Sequence, residues 1–414
     1  MVKTKVAEPS TPLDLSIPGY NEAFEDQLVH KLVGRIQDSK RPMILIDAFA
    51  AGFCVNAEIN DLVRETDFPT LATPGGKGVV DEHLPNFHGV HLGSAGTSAH
   101  QAWAGARDLV LHFGPLNSDT NTFGFTAIPN PQVTVAFERH SVQIGGTDEI
   151  LTGGCSISIK ATLNKLLARL RTLRRSAPDP YPNECQTPRE ALRKLPKPRD
   201  ESAVDQYSFW LLISTYIKSG DIVLTETGTA SYGSHSLILP GETVAINSTI
   251  WLSIGYMLAA CQGASLAQKE MCEAGTRRPG RTILFVGDGS LQMSAQAVSD
   301  MIRNRLNVTI FILNNNGYTI ERLIHGPNAT YNDVQPWRNL EAPSYFGAPK
   351  DEPSYPVRTF AAQNWGELQK IINNAGLKKG NGLNMVEVKM GVDDAPQSLR
   401  SFAEYLEMRN RGEV

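Results

Sequence analysis

The chain has 414 residues, 41% hydrophobic and 20% charged, with a formal net charge of −4. That length exceeds one ordinary core and asks for two domains or three, while the charge gives no reason to expect a nucleic acid or a membrane surface as partner. No apolar run reaches the length of a membrane helix, the polar start Met1–Lys5 lacks a secretory apolar core, and five scattered cysteines without CxxC spacing read as reduced thiols of a cytoplasmic protein.

In chain order, Glu22 to Asp38 carries apolar residues at Phe24, Leu28, Leu32, Val33 and Ile36, a helical stripe. Met43-Ile44-Leu45-Ile46 is a continuous apolar run, as in a buried parallel strand. Ala57 to Arg64 reads as a helix, Asp108–Phe113 and Val133–Phe137 as strands, and Ser158 to Arg174 as an amphipathic helix with basic residues at its end. This alternation predicts an open parallel sheet over residues 1–175. Residues 176–200 hold Pro178, Pro180, Pro182, Pro188, Pro196 and Pro198 and read as a linker without regular structure. Residues 201–414 resume the alternation: helix Val204–Ile217, strand Asp221–Thr225, helix Ser253–Leu266, a polar loop Glu270–Arg281, strand Thr282–Val286, helix Gln292–Asn304, strand Val308–Leu313, helix Trp365–Asn374, strand Met385–Val388 and a last helix from Gln397. The fold class expected is α/β, with two doubly wound parallel-sheet domains.

The chemistry concentrates in the second half. Thr282–Val286 runs into Gly287-Asp288-Gly289-Ser290, and Val308–Leu313 runs into Asn314-Asn315-Asn316-Gly317. Ligands of open α/β sheets bind at the carboxyl ends of strands. Glycines let the backbone approach an anion, and free N–H groups at a helix start face it. Asp288 would repel a phosphate unless a cation lay between them. If the two strands are adjacent, Asp288 and Asn315 meet at one ion. Carboxylate, amide and carbonyl oxygens are hard ligands and suit magnesium better than zinc. Alone, Gly-Asp-Gly is a common turn and an Asn cluster a common loop. The pair, 27 positions apart with one helix between, is far more specific.

The pair resembles the diphosphate-binding signature of thiamine diphosphate enzymes, and Gly317–Pro327 resembles pyruvate decarboxylases in particular. Glu226–Thr229, Trp251–Gly255 and Asp394–Gln397 look like further segments of that family, and Thr11–Ser16 and Thr73–Gly78 like its middle domain. The resemblance implies residues 1–175 as the middle domain and 201–414 as the diphosphate-binding domain. It implies thiamine diphosphate and Mg2+ as cofactors, with Asp288, Asn315 and the carbonyl of Gly317 as metal ligands. Thr229, Gly289, Ser290, Thr319 and Ile320 would contact the diphosphate. Ser253 would lie in the cofactor segment, and Ile254 would be the apolar wedge that keeps the cofactor bent. Glu321 would be the catalytic carboxylate. By its residues alone, Ile254 reads as a helix core residue and Glu321 as a solvated one.

The same resemblance carries departures. By this resemblance, the family's pyrimidine-binding domain, with its activating glutamate and paired histidines, is expected to have no counterpart among these 414 residues, none of whose nine histidines are adjacent. Leu252 stands where the family has a glycine. Asn316 replaces an aspartate of some members. Phe49 stands where some members carry a regulatory cysteine, so no thiol-based substrate activation is expected there. Two functions follow as expectations. One is decarboxylation of pyruvate, or of a larger 2-keto acid such as indolepyruvate, by a homo-oligomer. The other is a catalytically incomplete module that pairs with a chain carrying the remaining domain. A nicotinamide or flavin protein is excluded for want of GxGxxG after a strand.

Overall fold

A computed structural model describes residues 21–146, 157–174 and 176–412. The Thr11–Ser16 motif and Cys155 lie outside the described residues. Two six-stranded sheets dominate, each flanked by helices.

The first sheet contains β1 (Pro42–Ile46), β2 (Thr70–Ala72), β3 (Phe87–Val90), β4 (Leu109–Phe113), β5 (Thr134–Phe137) and β6 (Val142–Ile144), in the order β3-β2-β1-β4-β5-β6. Its pairings are parallel except β5 with the edge strand β6, which is antiparallel. Helices α1 (Glu22–Asp38), α2 (Asn56–Thr66), α3 (Ser98–Gly105) and α4 (Ile159–Leu170) cover it. The apolar stripe read for α1 is the buried one: Leu28, Leu32 and Ile36 pack with Leu163 and Leu166 of α4 in one core. Asn21 caps α1 by accepting from Phe24 N.

The proline-bearing stretch is not irregular throughout. Thr187 and Glu190 form a capping box, and Pro188 occupies the first turn of α5 (Pro188–Lys194). The prolines were read as breakers, whereas one of them starts a helix.

The second sheet contains β7 (Ile222–Thr225), β8 (Val244–Asn247), β9 (Thr282–Gly287), β10 (Val308–Asn314), β11 (Val357–Ala362) and β12 (Leu383–Lys389), in the order β11-β12-β10-β9-β7-β8, with all pairings parallel. Its helices are α6 (Gln206–Ile213), α7 (Thr229–Gly233), α8 (Tyr256–Glu273), α9 (Asp288–Ser294), α10 (Ala297–Arg303), α11 (Thr319–His325), α12 (Ala342–Tyr345), α13 (Trp365–Ile372), α14 (Ala375–Lys379) and α15 (Gln397–Asn410). Several boundaries differ from the sequence reading, and three of them lie near the strand ends of this sheet. α8 begins at Tyr256, not Ser253, because Leu252 and Gly255 take left-handed φ values of 47° and 90°. α8 also runs to Glu273 and absorbs the start of the expected Glu270–Arg281 loop. The single helix expected over Gln292–Asn304 is two, and the first starts at Asp288 itself.

The two sheets are clamped by a buried ion pair. Lys77 Nζ lies 2.8 Å from Glu82 Oε2 and donates to Leu237 O of the second half at 2.9 Å, while Glu82 Oε2 accepts from Leu239 N at 3.1 Å. Among the described residues, no helix is long and apolar enough to cross a membrane.

Candidate functional site

The site lies where β9 and β10, adjacent and parallel, end side by side. β9 delivers Asp288, Gly289 and Ser290 into the first turn of α9, all three buried. β10 ends at Asn314, whose side-chain nitrogen donates to Glu387 on the next strand and so braces the loop. Asn316 takes a left-handed φ of 57°, and its carbonyl accepts from Arg322 Nη2 at 2.9 Å. Arg322 is held in turn by Asp333 at 2.6 Å. Gly317 follows at φ 132°, where a Cβ would collide with Asn332 O; only glycine fits there. A Cβ on Gly289 would lie 2.7 Å from the Tyr318 ring, and Tyr318 donates its hydroxyl to Gly289 O at 3.3 Å.

These turns bring three of the expected residues into contact. Gly317 N donates to Asp288 Oδ2 at 3.1 Å. The Asn315 amide has one terminal atom 2.9 Å from Gly317 O and 3.1 Å from Asp288 Oδ1, and the other 2.7 Å from Thr319 Oγ1. The Thr319 hydroxyl has one proton, which it gives either to Val392 O at 2.9 Å or to Asn315. One orientation of the amide satisfies every contact at its two ends: the nitrogen donates to Gly317 O and Asp288 Oδ1, and the oxygen accepts from Thr319. A cation between the three residues would favour the other, with the amide oxygen on the ion, the nitrogen donating to Thr319, and Thr319 donating to Val392 O. Burial pushes the Asp288 carboxyl above its usual range, partly offset by the N–H groups of Gly289 and Gly317 and by the charge of Lys389. A divalent ion would stabilise the ionised form of this buried carboxyl.

The neighbouring strand supplies the other wall. β7 runs beside β9, and Glu226 N donates to Phe285 O at 2.9 Å. Thr229 starts α7 after Gly228. Glu226 is fully buried; its carboxylate accepts from Thr227 N at 2.8 Å and from Met257 N at 2.9 Å. Burial raises its carboxyl too, against hydrogen bonds that include the Gly255 N–H. Ser294 of α9 donates to Gly255 O at 2.6 Å. The turn carrying exposed Ser253 and half-buried Ile254 is thus held from both sides. Ile254 sits in this turn, not in a helix core. Leu252, at the family's glycine position, adopts a left-handed backbone that glycine takes freely. Ile320 packs against Tyr232, Leu399 and Phe402, so only its backbone is free for a ligand. Glu321 lies in the first turn of α11, one-third exposed, with Oε2 3.3 Å from His325 Nε2; this contact is outside the Asp288 cluster. The sequence places Glu226 and Thr227 in a segment that resembles a cofactor-contact segment of the family but gives neither an individual role, and it gives none to Val392.

Two family models match the chain. Residues 29–166 match the model for the thiamine pyrophosphate enzyme central domain, and residues 227–376 the model for its C-terminal TPP binding domain. The chain is 39% identical over 382 residues to a pyruvate decarboxylase of Aspergillus parasiticus, covering 91% of this chain and 63% of that protein. It is 38% identical over 402 residues to one of Aspergillus fumigatus, covering 97% and 67%. The chain belongs to the pyruvate decarboxylase family of thiamine diphosphate enzymes. To isozyme 2 of Saccharomyces cerevisiae it is 35% identical over 390 residues, 94% of this chain and 65% of that protein. The chain therefore spans about two thirds of the length of these family members. The TPP binding match begins at Thr227 and includes the whole Asp288 cluster.

Proposed function

We propose that the chain holds the diphosphate and magnesium ion of thiamine diphosphate and serves the non-oxidative decarboxylation of pyruvate to acetaldehyde and carbon dioxide. The observation that supports this most is the convergence of Asp288 Oδ1, Asn315 and Gly317 O, with the Asn315 atom 2.9 and 3.1 Å from the other two. In an octahedron with bonds of about 2.1 Å, neighbouring oxygens lie about 3.0 Å apart. These three would ligate the ion, leaving its other positions to diphosphate oxygens and water. Gly289, Ser290, Thr229, Thr319 and Ile320 would contact the diphosphate, several through backbone N–H groups. Ser253 and Ile254 would line the thiamine, with Ile254 as its apolar support. When bound, the cofactor supplies an electron sink for the bond that breaks as carbon dioxide leaves. Glu321, part-exposed and beside His325, would hold and return a proton at the substrate. Pyruvate, rather than a larger 2-keto acid, is favoured by the names of the relatives.

Exposed apolar residues stand beside this wall: Ile250, Trp251, Tyr256 and Met293, with Trp251 84% exposed. They support the reading that a second chain or domain completes the site, as a homo-oligomer or a mixed pair. The free cysteines Cys54, Cys185, Cys261 and Cys272 support a reducing, cytoplasmic setting. The test is twofold. Calorimetry with thiamine diphosphate and Mg2+ reads cofactor binding, and acetaldehyde formation from pyruvate reads turnover. Binding without turnover would favour an incomplete assembly module; turnover would favour the enzyme.

A further inference from the structure

A cavity of about 420 Å3 opens between the two sheets, apart from the Asp288 cluster. One wall is β3 and the start of α3. The other is α6, the residues around the end of α7, and Asp394–Ser398. Tyr181 and Cys185, from the stretch joining the two halves, complete it. None of the residues assigned above to cofactor or metal lines it.

We propose that this cavity is a second ligand site, for a flat, uncharged molecule that carries carbonyl or hydroxyl acceptors. Charge gives the first argument. Among the described residues no lysine or arginine lines the cavity, and the one carboxylic acid is Asp394. Burial pushes His88 down to about 4 and His235 to about 3, so both rings are neutral at physiological pH. The cations that act on these rings stand outside the lining and are engaged, Arg189 by backbone carbonyls and Lys77 by Glu82, so an anion such as a keto acid would gain no direct ion pair and would meet Asp394.

Hydrogen-bonding capacity gives the second argument. Nδ1 of His88 and Nδ1 of His235 are both sealed without a partner, and His235 is only 8% exposed. A neutral imidazole has one N–H, and a sealed N–H without an acceptor is rarer in proteins than an unused lone pair. The proton of each ring therefore belongs on Nε2, the nitrogen left to serve a ligand. Two N–H donors and no cation select an uncharged acceptor.

Order gives the third argument. His88 stacks on Tyr181 with centroids 4.3 Å apart and 11° between planes, a flat aromatic wall. Tyr181 Oη is 2.9 Å from His100 Nδ1, and His100 Nε2 is 2.8 Å from His91 Nδ1. The wall is therefore fixed before a ligand arrives, which lowers the entropy cost of binding.

The matched probes are benzamide and benzoate, alike in shape and different in charge, titrated into the full chain and followed by NMR. Saturable benzamide binding is expected, with benzoate at least about tenfold weaker, and with a loss of about tenfold in His235→Ala and in His88→Ala. Mg2+-dependent binding of thiamine diphosphate should be unchanged in both variants. No saturable benzamide binding, equal binding of benzoate, or indifference to both substitutions would overturn the proposal. If a variant fails to fold, iodoacetamide labelling of Cys185 in the unmodified chain decides. Slowing by benzamide but not by benzoate supports the site, and an unchanged rate overturns it.

Discussion

The Thr319 hydroxyl lies 2.7 Å from the Asn315 amide and donates its one proton to Val392 O. With an ion bound, this relationship would hold the amide oxygen toward Asp288 and Gly317 as a third oxygen. Thr319→Val keeps the shape of the side chain and removes the acceptor, so Asn315 is free to turn. Mg2+ affinity in the presence of thiamine diphosphate should fall about tenfold, the worth of one hydrogen bond to an ordered ligand. Melting temperature without Mg2+ should change little. Calorimetric titration of Mg2+ checks this, and unchanged affinity would remove Thr319 from the account.

Gly317→Ala should damage the loop itself. The residue sits at φ 132° with Asn332 O in the place of a Cβ. Forcing a side chain there costs on the order of 2–3 kcal/mol. Thermal unfolding should show a clear loss of stability, whereas Gly263→Ala, in open space within α8, should not.

The buried carboxyls set a pH dependence. Asp288 and Glu226 both have folded pKa values raised above their ordinary ones. The folded chain then binds more protons than the unfolded chain in that window. Stability is full below the ordinary carboxylate range and declines as pH rises through the raised values. Mg2+ works the other way, because it needs the ionised Asp288. Its binding should weaken as pH falls toward the raised value, and should release a proton in that range. Mg2+ titration in buffers of different ionisation enthalpy reads that proton.

Glu226→Gln should loosen the turn that carries Ile254. The carboxylate accepts from Thr227 N and Met257 N, one through each oxygen, with the Gly255 N–H also facing it, and an amide can accept through only one oxygen. The unmatched N–H costs about 1–3 kcal/mol. Faster hydrogen exchange at Gly255 and Met257 is expected, and protection equal to the unmodified chain would contradict the role given to Glu226.

The parts of the fold legible in the sequence are those with strong patterns. Helix Glu22–Asp38 followed from its apolar stripe, and the central strands from their continuous apolar runs. The three-residue strands Thr70–Ala72 and Val142–Ile144 are too short to show a period. Strand Val244–Asn247 at the edge of the second sheet is half-exposed along its length, and its apolar run, Val244-Ala245-Ile246, is only three residues long. Helix Thr319–His325 was hidden because its start is defined by the left-handed turn at Asn316 and Gly317 rather than by a cap. At the site, Asp288, Asn315 and Gly317 could be paired from sequence because each follows a strong strand. The orientation of Asn315 could not, because it depends on Val392, 73 residues beyond Thr319.

The central claim is that Asp288, Asn315 and Gly317 gather around one magnesium ion that carries a diphosphate. Its most direct test is calorimetric titration of thiamine diphosphate into the chain with and without Mg2+, alongside Asp288→Ala. Saturable binding that requires Mg2+, and that disappears in Asp288→Ala while the variant still unfolds cooperatively, is the predicted result. Binding that is the same without Mg2+, or the same in the variant, would contradict it.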